Sequence, residues 1–115
     1  MADFYIRQDT ITPVLRATIT DDQGNPVNLT DATIMFVMAS ILDYEVKVQA
    51  AADVLVSDPA DLGDDEPNVR YRWVEGDTDT PGVYRAEWQV TYGDGSTESF
   101  PNTGYLTVQV TEKLA

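Results

Sequence analysis

Pro81-Gly82-Val83-Tyr84-Arg85-Ala86-Glu87-Trp88-Gln89-Val90-Thr91-Tyr92 runs into Gly93-Asp94-Gly95 and Ser96-Thr97-Glu98-Ser99-Phe100, and after a short break Tyr105-Leu106-Thr107-Val108-Gln109-Val110 follows. From Tyr84 to Tyr92 the residues alternate. Tyr84, Ala86, Trp88, Val90 and Tyr92 share one side, and Arg85, Glu87, Gln89 and Thr91 the other. A period of two over this length is the mark of a half-buried β-strand. Gly93-Asp94-Gly95 tolerates the positive φ of a tight reversal, so a hairpin is expected there. Leu106, Val108 and Val110 line one face of a further strand, and the aromatic load of Tyr84–Tyr92 places that strand inside a β core.

The same alternation recurs outward from this stretch. Phe4 and Ile6 mark a short strand within Asp3–Gln8. Leu15, Ala17 and Ile19 oppose Arg16, Thr18 and Thr20, and Val69, Tyr71 and Trp73 oppose Arg70 and Arg72. Pro13 cannot donate to a ladder, so Ile11-Thr12-Pro13 reads as an edge or a strand switch. Asp21–Pro26 has turn chemistry throughout, and Val27-Asn28-Leu29 reads as a brief extended piece. Val46–Ala50 alternates. Ala50–Leu55 is rich in helix-favouring alanine but short, and the Val-Leu-Val beside it points to strand. About seven to nine short strands, with no helix of ordinary length, predict an all-β immunoglobulin-like antiparallel sandwich in one domain, residues 1–115.

Composition narrows the chemistry. The chain has 115 residues, no cysteine and no histidine. Disulfides, the usual zinc sites and Ser-His-Asp or Cys-His catalysis are therefore out of reach. Seven Lys plus Arg against twenty Asp plus Glu give a formal charge of −13, which repels nucleic acid and anionic membranes. No window is apolar enough for a membrane span, and the charged N-terminus is unlike a signal peptide. A soluble protein made in a cytoplasm is expected, with no cofactor.

Asp58, Asp61, Asp64, Asp65 and Glu66 crowd the loop Ser57–Asn68. Calcium takes such oxygen ligands, but the EF-hand spacing is missing, so solvated charge is the expectation. The aromatics Tyr71, Trp73, Tyr84, Trp88 and Tyr92 suggest a carbohydrate platform, yet all fall on inward positions and are expected in the core. Two surface features stand out. In Thr33–Ala39 the residues Ile34, Phe36 and Met38 form one apolar face, and Met35 and Val37 make the opposite face apolar too. Either the chain covers that second face or a partner does. Arg70, Arg72 and Arg85 are outward on two strands close in sequence. If those strands are neighbours, they form a basic stripe; the alternative is cross-strand pairing with acids such as Glu87.

Two stretches carry a resemblance. One is Asp22-Gln-Gly24-Asn-Pro26-Val27-Asn28-Leu29-Thr30-Asp-Ala32-Thr33-Ile34-Met-Phe36. The other begins Trp73-Val-Glu-Gly76-Asp77-Thr78 and runs through Pro81–Trp88 and Gly93-Asp94-Gly95 to Glu98-Ser-Phe100-Pro101-Asn102. Together they resemble the immunoglobulin-like N-terminal domain of the phage baseplate upper protein family, across about Asp9 to Val110. The resemblance implies a structural, non-enzymatic module of tailed-phage virions. Its partners would be other virion proteins of tail, baseplate or capsid, and its copy number would follow particle symmetry. The chain ends at Ala115 without a receptor-binding tip, so an adaptor or decoration protein is expected. A carbohydrate- or calcium-binding sandwich is the competing expectation.

Overall fold

The computed structural model describes residues 2–64 and 66–115. It contains eight strands: β1 Phe4–Arg7, β2 Leu15–Ala17, β3 Thr33–Ser40, β4 Val46–Val54, β5 Val69–Tyr71, β6 Gly82–Thr91, β7 Thr97–Phe100 and β8 Leu106–Thr111. One turn of 3-10 helix, Pro59–Asp61, interrupts them. The strand order is β1-β8-β6-β3-β4-β5-β2, and β7 pairs with the end of β6.

β4 is what turns this single path into two layers. Through Ala52 it pairs with β3, whereas Asp53 and Val54 pair with β5. The chain thus passes from one sheet to the other without leaving an extended conformation, and the ambiguous Ala50–Leu55 stretch is the crossing point. One layer is β1-β8-β6-β3-β4 and the other is the end of β4 with β5 and β2, which is the strand arrangement of immunoglobulin-like sandwiches. One pairing departs from the antiparallel expectation. β1 runs parallel to β8, Phe4 opposite Val108 and Arg7 opposite Thr111, so the sheet is mixed. The Ile11–Pro13 segment links β1 in one layer to β2 in the other, as a strand switch does.

The alternation explains the core. Ile34, Phe36 and Met38 of β3, Tyr84, Ala86, Trp88 and Val90 of β6, and Val108 and Val110 of β8 are buried from one layer. Val69, Tyr71, Trp73 and Leu15 meet them from the other. Phe36 stacks on Tyr71 at 4.6 Å between ring centroids and touches Trp88 at 5.0 Å, so β3, β5 and β6 lock together through aromatic contacts. Of the five aromatics considered as a carbohydrate platform, four are buried; Tyr92 is partly buried and donates its hydroxyl to Glu98.

Polar residues fix the corners. Tyr84, at the start of β6, donates its hydroxyl back to the Thr80 carbonyl at 2.6 Å, a tyrosine corner. Asn68 is buried, and its amide accepts from the Ile19 N–H at 2.7 Å and donates to the Ile19 carbonyl at 3.2 Å. That side chain extends the β2–β5 pairing where the backbone ladder stops. Asp77 accepts from both the Tyr71 hydroxyl and the Val74 N–H. The hairpin after β6 closes as expected, with Tyr92 N–H on the Ser96 carbonyl and Gly95 at φ +89°. Val27–Leu29 forms no strand; it is tied down by Val27 N–H to Ile19 and Leu29 N–H to Ser57.

Candidate interaction surface

The three arginines do not form one stripe. β5 pairs with β4 and β2, whereas β6 pairs with β3, β7 and β8, so Arg70 and Arg72 lie on one layer and Arg85 on the other. Two strands close in sequence are separated here because the chain crosses between layers between them. On the second layer Asp53 is directly opposite Arg70 and takes contacts at 3.1 Å from Arg70 and 3.0 Å from Arg72. Cross-strand pairing, the alternative to a stripe, is present for Arg70 and Arg72, with Asp53 in place of Glu87, and not for Arg85 among the described residues. Arg16 of β2 stands opposite Arg70 in the register, so the basic residues that do come together are Arg70 and Arg72 on one carboxylate, with Arg16 on the neighbouring strand.

Arg85 instead joins Met35 and Val37. In the β3–β6 register Met35 faces Gln89, Val37 faces Glu87 and Ala39 faces Arg85. On the other side of β3, Met35 faces Ala51 and Val37 faces Gln49. Period-two geometry puts all of these on the outer face of the first layer. Its centre is apolar and its flanks are mostly uncharged, on a chain of net charge −13.

Two loops build walls on this face. Tyr44, from the connection between β3 and β4, and Tyr105, just before β8, flank the Arg85 guanidinium at 5.9 Å and 5.6 Å from their ring centroids. Both rings are largely exposed, at 67% and 53%. Between them Val37, Ala39, Ala86 and Glu87 complete a groove of about 200 Å³. Met35 lines a separate groove with Ala51, Gln89 and Ser99. Met35 and Val37 are half-buried by their strand neighbours and by these walls, so the chain covers their face only in part. The rings were missed in the sequence because each sits outside an alternating run, Tyr44 inside Asp43-Tyr44-Glu45 and Tyr105 out of phase with Leu106 and Val108. An aromatic residue in a polar turn is the signal that marks them.

Elsewhere the carboxylates are dispersed. Asp58 caps the 3-10 turn by accepting from the Ala60 N–H, while Asp65 lies outside the described residues. Among the described residues no group of three or more Asp or Glu is placed to hold a metal ion. The Lys47–Asp79 pair joins the start of β4 to the turn before β6; the shared hydrogen bond raises the Lys47 pKa and lowers that of Asp79. No helix is long and apolar enough to cross a membrane among the described residues. Comparison of the chain with protein-family models, with curated proteins and with solved structures gives no match.

Proposed function

We propose that this chain is a non-enzymatic structural protein of a tailed-phage virion that binds other virion proteins through the outer face of its first layer. The sequence resemblance supplies the setting, with tail or baseplate favoured over capsid decoration. The observation that carries the contact surface is the convergence of Met35, Val37 and Arg85 on one sheet face, walled by two exposed tyrosines. Interface centres are depleted in charge and enriched in Tyr, Met and Arg, and this face has that make-up. Arg70 and Arg72, held by Asp53 on the opposite layer, are assigned to the fold and not to the contact.

The test compares two variants in purified particles of the phage that encodes the chain. Arg85→Glu is expected to reduce incorporation, whereas Arg72→Glu leaves it close to wild type, with circular dichroism confirming that both fold. Equal incorporation of the two variants contradicts the assignment of the face.

A further inference from the structure

We infer that Arg85 is the anchor for a carboxylate presented by a partner protein, with an aliphatic side chain beside that carboxylate filling the groove over Val37 and Ala39. The inference rests on reading this face as a docking surface and names the chemistry of what docks there. Four of the seven basic side chains, Lys47, Arg70, Arg72 and Lys113, already pair with carboxylates of the chain. Arg85 has no hydrogen-bond acceptor among the described residues. Glu87, the acid nearest in sequence on the same face, is engaged by Gln89 Nε2 at 3.1 Å, and Asp3 accepts from the Thr107 N–H.

What Arg85 does have is two aromatic faces. Both rings are within cation–π reach of the guanidinium, no chain acceptor occupies its N–H groups among the described residues, and its planar fork matches a carboxylate in bidentate geometry. Two rings near the guanidinium restrict where the side chain sits before any partner arrives, which lowers the ordering cost of binding. The loop that supplies Tyr44 is built for this placement. Tyr44 sits at φ 59°, a left-handed conformation that bulky residues rarely take, while Asp9 and Asp31, the other two such residues, are of a type that tolerates it. The turn is pinned by Tyr44 N–H on the Ser40 carbonyl and Glu45 N–H on Asp43. The ring so placed is two-thirds exposed and buries little of the chain's own surface. At about 200 Å³ the groove is below the roughly 300–1,000 Å³ of small-molecule sites, so it suits one side chain of a protein segment.

The experiment uses the isotope-labelled full chain and two peptides, acetyl-Leu-Glu-Leu-amide and its glutamine counterpart. The glutamate peptide at millimolar concentration is expected to give saturable shifts of the Arg85 Nε–H and the Val37 methyl resonances, with the glutamine peptide at least about tenfold weaker. Arg85→Lys keeps the charge but loses the fork, and Tyr44→Ala removes one wall; each is expected to weaken binding by about tenfold. Tyr44 is exposed, so its removal leaves the fold intact. Equal shifts with both peptides, no shift at Arg85, or shifts centred on Arg16 and Arg72 overturn the inference. Peptide binding by a chain that is missing from virions leaves the carboxylate anchor standing and removes the virion reading; incorporation without peptide selectivity does the reverse.

Discussion

Asn68 shows how much one buried polar side chain can hold. Its amide satisfies both backbone groups of Ile19, its own N–H bonds to the Ala17 carbonyl, and its carbonyl accepts from Leu55. Asn68 therefore ties β2, β5 and the end of β4 at the point where the second layer begins. Asn68→Ala leaves the Ile19 N–H unpaired in a dry site, while the Ile19 carbonyl keeps the Val27 N–H, and is expected to cost about 1–3 kcal/mol in urea unfolding. A loss under about 1 kcal/mol would show that water replaces the amide. Two tyrosines set a second expectation. Burial first, and then the hydrogen bond to Asp77, push the Tyr71 phenol well above its ordinary range; burial and Glu98 push Tyr92 up to about 12. The folded state holds both phenols neutral, so their contribution is complete below the unfolded value near 10 and is lost as pH rises through the folded values. The urea midpoint is expected to hold steady to about pH 10 and fall above it, less steeply in Tyr71→Phe. A midpoint that rises above pH 10 contradicts the assignment.

At the scale of elements, the acidic stretch begins with a capped 3-10 turn, Asp58 to Leu62. Its melting temperature is expected to be the same in calcium and in EDTA; a rise of several degrees with calcium would make it a metal site. The strands themselves were legible because one buried face writes a period of two into the sequence, and Leu15, Phe36, Tyr71, Trp88 and Val108 are all where that period puts them. What was not legible was partnership between strands. Arg70 and Arg85 are near in sequence, yet the chain changes layers between them, and only the register shows that Arg70 belongs with Asp53 and Arg85 with Ala39. In the sequence Asn68 is only the end of a loop, because a side chain that imitates a backbone ladder has no periodic signature. The Tyr44–Arg85–Tyr105 cluster was hidden for a related reason: it joins two turns and a strand that local pattern treats separately.

The whole molecule is an acidic sandwich with one outer sheet face that carries little charge. Such a charge opposes the approach of other anionic bodies, and an acidic partner would meet least repulsion at the weakly charged face. The fold supplies rigidity for such a face, since β3 and β6 are central strands of the layer and their inner residues are locked in the aromatic core. The account as a whole depends on the chain being a stoichiometric part of a phage particle. The direct measurement is quantitative mass spectrometry of the wild-type chain in gradient-purified virions of the phage to which the proposal assigns it. The account predicts a fixed copy number per particle that survives further purification; absence of the chain from particles that are otherwise intact and infectious would contradict it.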